Sequence, residues 1–204
     1  RPIAIEAMGA DMNILLDKLG FRQVDVMGYS MGAGVGFQLA AQHPDKVRRL
    51  ALVSMTLSPA GIQPEMVPTQ RQLPGAMAPM MKETPMYTGY VARAPKPEDF
   101  PRLLDQMGDL MRRDFDWSTQ VKALTMPVML VVGDADMWRP EASVDFFKLL
   151  GGGQRDGGWQ REHVTRHRLA ILPGRTHYDI FLAPELARTV RPFLDGKEGR
   201  TDWQ

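Results

Sequence analysis

Val24-Asp25-Val26-Met27-Gly28-Tyr29-Ser30-Met31-Gly32-Ala33-Gly34 is an apolar run that stops at a glycine-flanked serine and continues into a helix-like segment. It reads as strand, sharp turn, helix. Gly28 and Gly32 bracket Ser30 in the pattern Gly-x-Ser-x-Gly. A serine lifted clear of a strand end on a tight turn sits on a strained backbone, and side chains two positions away on either side would collide with the neighbouring strand or helix. Small residues are therefore expected at both Gly28 and Gly32. The following helix points its N-terminus at the serine, so the Met31 amide is placed to donate to an oxyanion, helped by the positive end of the helix dipole. Ser30 is thus a nucleophile candidate, although the same pattern also suits a serine that caps a helix.

Working outward from this stretch, Ile5, Met8, Met12, Leu15, Leu16 and Leu19 recur at spacings of three and four, which predicts an amphipathic helix stopped by Gly20. A second helix is expected from Met31 to Gln42. Its glycines and alanines favour close packing against a sheet over intrinsic helix propensity, and His43-Pro44 ends it at the surface. Val47 to Ser54 forms a second strand. Strand, helix, strand with this crossover length predicts a right-handed parallel unit. The pattern resumes with an uninterrupted apolar strand from Pro127 to Gly133, a helix from Glu141 to Leu150, a strand from Arg168 to Leu172 and a closing helix from Pro184 to Leu194. The fold class is α/β, a mostly parallel sheet flanked by helices.

Between Met55 and Ser118 the composition changes. Nine prolines from Pro59 to Pro101 exclude a strand of the main sheet. Met66, Met77, Met80, Met81, Met86, Met107 and Met111 are flexible apolar fillers, suited to a small core or to an adaptable pocket. An inserted cap is expected over residues 57–118, with an amphipathic helix at Phe100 to Arg113, leaving 1–56 and 119–204 as the core. Gly151-Gly152-Gly153 and Gly157-Gly158 frame a loop without the strand-to-helix context of a phosphate cradle.

At 204 residues, 44% of them hydrophobic, the chain can build one core of ordinary size but not two generous ones. No apolar run approaches the roughly 18 residues of a membrane span. A net charge of +1 with interspersed signs carries no footprint for nucleic acid or an anionic membrane, so neither is an expected partner. The absence of cysteine removes disulfides, thiolate metal sites and thiol nucleophiles, and a cytoplasmic location is the expectation. No histidine-carboxylate spacing suggests a metal.

A serine hydroxyl needs a base within hydrogen-bond reach, and the base needs a carboxylate to hold its tautomer. Functional groups of open parallel sheets gather at the carboxyl ends of strands. Gly133-Asp134-Ala135-Asp136 follows directly on the strand ending at Val132, and Pro173-Gly174-Arg175-Thr176-His177 follows the strand ending at Leu172. His163 and His167 lie in a polar stretch before the last strand and are expected to be exposed. Asp134 and Asp136 both remain candidates for the carboxylate.

These motifs resemble the α/β-hydrolase family over nearly the whole chain: Gly28-Tyr29-Ser30-Met31-Gly32, His43-Pro44, Gly133-x-x-Asp136 with Pro140, and Pro173 to His177, in the order nucleophile, acid, histidine. The resemblance implies Ser30, Asp136 and His177 as catalytic residues, Met31 as one oxyanion amide, and Asp134 as a turn-capping carboxylate. It implies no cofactor and a small-molecule substrate. Ester-like or other carbonyl compounds fit, and carbon-carbon hydrolysis and perhydrolase chemistry run on the same residues. Members of the family carry further strands and a second oxyanion donor before the helix that opens this chain. The fold is therefore expected to be N-terminally incomplete, with a companion N-terminal segment or a homo-oligomer completing it. The alternative expectation is a non-catalytic ligand-binding or scaffold module on the same fold.

Overall fold

The computed structural model describes residues 2–71 and 74–197. Positions 72–73 of the expected insert and 198–204 of the expected core lie outside the described residues. The chain divides into two compact units, one of Ile5–Ile62 with Phe115–Gln204 and one of Arg1–Ala4 with Gln63–Asp114. In chain order, the larger unit contributes α1 (Ile5–Lys18), β1 (Val24–Tyr29), α2 (Met31–Gln42) and β2 (Val47–Val53). The smaller unit contributes α3 (Val67–Arg71), α4 (Pro85–Val91) and α5 (Phe100–Met111), and the larger resumes with β3 (Val128–Ala135), α6 (Pro140–Leu149), β4 (Arg168–Thr176) and α7 (Pro184–Leu194).

The four strands form one sheet in the order β1-β2-β3-β4, and every pairing is parallel. Tyr29 stands opposite Val53, and Val53 opposite Val131, so the carboxyl ends of β1, β2 and β3 share one edge of the sheet. Burial follows position. β2 and β3 are central and bury nearly every residue, whereas β1, at the sheet's border, alternates and leaves Asp25 and Met27 exposed. That is the difference expected between a strand covered on both faces and one that is not.

Alternation along β2 sends its side chains to two cores. Ala51 and Val53 join Met129, Val131 and Leu172 against Ile180, Leu186, Val190 and Phe193 of the α7 region. Leu50 and Leu52 face α2, where a Cβ added to Gly36 would stand 3.0 Å from the Val26 side chain. The glycine lets the helix lie close against the sheet, as its composition predicts. Phe37 of α2 stacks on Trp117 at 5.6 Å and meets the edge of Phe146 from α6 at 5.9 Å. Each fully buried side chain of this size contributes about 1.5–3 kcal/mol relative to exposure.

The smaller unit has its own core. Ala78, Phe100 and Leu104 are buried among Met77, Met81, Tyr87, Tyr90 and Leu103. Met77 and Met81 are therefore packing residues within that unit, while Met80 is 80% exposed. α5 stops at Met111, two residues before the expected end, because the chain there turns through Arg112 and Arg113. Among the described residues, no helix is long and apolar enough to cross a membrane.

One expectation is corrected. His163 is exposed, but His167 is buried, at 6% exposure, immediately before β4. Its Nδ1 accepts the Val128 amide of β3 at 3.1 Å, a bond that requires an unprotonated ring nitrogen. Arg166 lies against the ring's Nε2 at 3.4 Å, while its Nδ1 turns in to satisfy a strand-start amide. Burial, with the charges of Arg166 and Arg168 added, pushes the imidazole down from 6.5 to about 4. A depressed value means that the neutral ring's contribution to stability is complete above pH 6.5 and is lost as pH falls toward about 4. Urea unfolding should therefore show the wild type losing on the order of 2 kcal/mol more than His167→Gln between neutral and mildly acidic pH.

Candidate active site

Ser30 links β1 to α2 at φ 54 and ψ −123, outside the conformations that a non-glycine residue normally adopts. The strain is held by the sheet, since the Ser30 amide donates to the Val53 carbonyl of β2 at 2.9 Å. The Ser30 side chain makes no helix-capping hydrogen bond. Its carbonyl accepts the Ala33 and Gly34 amides instead. The capping alternative therefore does not describe this serine, and its hydroxyl projects from the turn toward His177. Met31 opens α2, so its amide has no intrahelical acceptor.

The flanking glycines are not equivalent. A Cβ on Gly28 would collide with the Gly32 carbonyl oxygen and stand 2.6 Å from the Ala33 Cα. At Gly32 the corresponding position has no atom within 4 Å outside its chain neighbours and its own helix backbone. The expectation of a steric requirement on both sides is thus corrected. The first turn of α2 passes over Gly28 and leaves no room for a side chain there, while a side chain at Gly32 would look onto open space.

His177 follows β4 directly. Its Nε2 lies 2.9 Å from Ser30 Oγ and its Nδ1 3.0 Å from Asp136 Oδ1. A carboxylate only accepts, so Nδ1 carries the proton and Nε2 is the free base facing the hydroxyl. Asp136 is buried, at 3% exposure, after a turn closed by its own amide on the Gly133 carbonyl. Among the described residues, three donors reach its carboxylate: His177, the Trp138 amide at 3.1 Å and the Ser54 hydroxyl at 2.6 Å. Asp134 points elsewhere. It is exposed and accepts the Gly174 amide at 2.7 Å, tying β3 to the turn in β4. The structure thus brings Ser30, His177 and Asp136 together and leaves Asp134 outside the group.

Several residues around the site escaped the sequence reading. The Tyr29 hydroxyl donates to the His177 carbonyl, and its ring lies 5.1 Å from both the imidazole and the Phe181 ring. Burial, reinforced by the charge of Asp136, raises this phenol to about 12, so it remains a donor at ordinary pH. Beyond the imidazole, Asp179 accepts both the amide and the hydroxyl of Thr176 at 2.8 Å, which holds its carboxyl below the usual range. Arg175 bridges to Glu185 at 2.9 Å. The segment that carries His177 is therefore pinned before and after the ring. A polar-tipped aromatic beside the serine was the available signal for Tyr29; Ser54 carried none beyond standing at the end of a strand.

Chemically, the arrangement joins a hydroxyl on a strained turn, a neutral imidazole nitrogen and a dry carboxylate in one hydrogen-bonded row, with an amide at a helix N-terminus alongside. Among the described residues, no cluster of three histidine or acidic side chains stands close enough to hold a metal ion.

A family model described as alpha/beta hydrolase fold matches residues 3–173. Among curated proteins, 2-hydroxymuconate semialdehyde hydrolase of Pseudomonas putida is 49% identical over 39 residues, which is 19% of this chain and 14% of that protein. The stretches shared with the curated relatives span a fifth or less of those proteins' lengths. Among solved structures, the enol-lactonase from Burkholderia xenovorans LB400 has a TM-score of 0.60 at 21% identity, covering 95% of this chain and 74% of that one. A thermophilic esterase from Thermogutta terrifontis has a TM-score of 0.60 at 18% identity, covering 98% and 75%. At these identities the likeness is one of fold.

The glycine geometry yields a stability test. In chemical denaturation, Gly28→Ala should cost about 2 kcal/mol or more, because backbone atoms in the first turn of α2 must move. Gly32→Ala should stay within about 1 kcal/mol of the wild type.

Proposed function

The chain belongs to the alpha/beta hydrolase fold family, and from that premise we propose that it is a serine hydrolase transferring acyl groups to water. The observation that carries this reading is the row Ser30 Oγ, His177 Nε2, His177 Nδ1, Asp136 Oδ1, with both separations at 2.9–3.0 Å. Ser30 Oγ attacks the carbonyl carbon of the substrate while its proton passes to His177 Nε2. The carbonyl oxygen becomes an oxyanion that accepts the Met31 amide. When the carbonyl re-forms, the bond to the leaving group breaks and His177 returns the proton to it, leaving an acyl group on Ser30. Water then attacks the acyl carbon and gives a proton to His177, the Ser30 ester bond breaks as His177 returns that proton to Ser30 Oγ, and the acid product departs. Asp136 stays ionised throughout, orienting the imidazole and stabilising its charged form.

The substrate class that fits is a small ester or related carbonyl compound. The relatives supply two concrete starting points: the Pseudomonas putida protein is named for a semialdehyde, and the Burkholderia xenovorans structure for an enol-lactone. Short p-nitrophenyl esters, a lactone and a vinylogous keto acid therefore form the first panel. No metal or organic cofactor has a step in this scheme.

A fluorophosphonate probe should label the wild type at Ser30 and should not label Ser30→Ala. Asp136→Asn should lower kcat about 10³- to 10⁴-fold, since it disturbs the tautomer that the carboxylate imposes, whereas Asp134→Asn should cost less than about tenfold. An unlabelled wild type that turns over no member of the panel would reject the enzyme reading and leave a non-catalytic binding module. A larger loss in Asp134→Asn than in Asp136→Asn would reject the assignment of the acid.

A further inference from the structure

Two non-glycine residues stand at φ 54 on the carboxyl edge of the sheet, and both are serines directly after a strand. Ser30 follows β1 and Ser54 follows β2. Their amides behave alike: Ser30 donates to the Val53 carbonyl at 2.9 Å, and Ser54 to the Val131 carbonyl at 2.8 Å. Their hydroxyls meet opposite ends of the same row. Ser30 Oγ faces His177 Nε2, while Ser54 Oγ lies 2.6 Å from Asp136 Oδ2.

Ser54 has no exposed surface, and the Asp136 side chain has none either. A carboxylate oxygen accepts only, so Ser54 is the donor. Oδ1 of Asp136 is shared between His177 and the Trp138 amide. Oδ2 has one hydrogen-bond donor among the described residues, the Ser54 hydroxyl. Glycine would adopt this backbone without the steric cost that serine bears there. What serine adds over glycine is a donor aimed at the carboxylate in a site closed to water.

We propose that Ser54 is a positioning residue for the reaction: its hydroxyl holds Asp136 in the rotamer that presents Oδ1 to His177 and balances the carboxylate's buried charge. This inference rests on the serine-hydrolase reading for its kinetic consequence but not for its structural one. Without the donor, Oδ2 is left dry and unpaired, and the carboxylate relieves that cost by rotating toward another donor or admitting water. Either movement loosens the Asp136–His177 bond and, through it, the tautomer that faces Ser30. No bond is made or broken by Ser54; its hydroxyl acts through Asp136.

The test uses Ser54→Ala and Ser54→Gly in the full chain. Ser54→Gly separates the role from folding, because glycine suits the left-handed backbone and should keep the thermal midpoint at or near the wild-type value. Both variants should lower kcat and the rate of fluorophosphonate labelling at Ser30 by about 10- to 100-fold, the loss expected for one hydrogen bond to a buried charge, with KM changed less than about twofold. Proton NMR on histidine-labelled protein supplies the readout that needs no turnover. The hydrogen-bonded His177 Nδ1–H, identified by its loss in His177→Gln, should be downfield in the wild type and shifted or broadened in both variants. Variants that keep this resonance unchanged, or that lose rate only in proportion to a lost folded fraction, would overturn the proposal. So would a wild type without the resonance. A wild type with the resonance, altered in both variants, but with Ser30 unlabelled, would uphold the positioning role and reject the hydrolase reading.

Discussion

The hydrogen bond from the Ser30 amide to the Val53 carbonyl fastens an unfavourable backbone conformation to the middle of the sheet. A residue at φ 54 costs on the order of 1 kcal/mol or more and persists only where its surroundings over-determine it. Here the surroundings are a parallel strand on one side and, on the other, a helix that can start immediately because Gly28 leaves its first turn room. From that fixed point the serine hydroxyl reaches His177 Nε2 at 2.9 Å.

The parallel topology explains how residues so far apart in the chain converge. With all four strands running the same way, every strand-to-helix connection emerges on the same edge, and in-register pairing puts Ser30 beside Ser54 and brings the turns after β3 and within β4 next to them. Asp136 is reached by a turn closed on Gly133, and the neighbouring Asp134 ties that turn to Gly174. Two carboxylates two residues apart thus divide the work: the buried one serves His177, and the exposed one fixes the distance between the two strands that carry Asp136 and His177. Tyr29 closes the circle by binding the main chain of His177 from the residue adjacent to Ser30. Acid, histidine and serine are cross-braced through backbone as well as through side chains.

Much of this was legible from residue patterns, because periodicity reports burial and glycine reports tight turns. The four strands, the long helices of the larger unit, Ser30 and His177 could be read in this way, while the choice of Asp136 over Asp134 came from the resemblance to the α/β-hydrolase family. The misreadings share a cause. Local polarity placed His167 at the surface, but the direction of a side chain at a strand start is decided by which backbone amide lacks a partner, and that depends on the adjacent strand. Gly32 looked like Gly28 because motif symmetry says nothing about what lies beyond the turn. Ser54 was silent for a related reason, and Tyr29 showed only as a polar-tipped aromatic beside the serine: each contributes a single hydrogen bond to a group over 80 positions away, and pairings of that kind leave no period in the sequence.

The direct measurement of the central claim is the fate of the acyl group. Wild-type protein mixed with a p-nitrophenyl ester in rapid-quench mode should show a covalent acyl adduct that forms with release of p-nitrophenol, decays with turnover, and maps by peptide mass spectrometry to the segment containing Ser30. Turnover of the ester with no adduct on that segment, or with an adduct on another residue, would contradict the account.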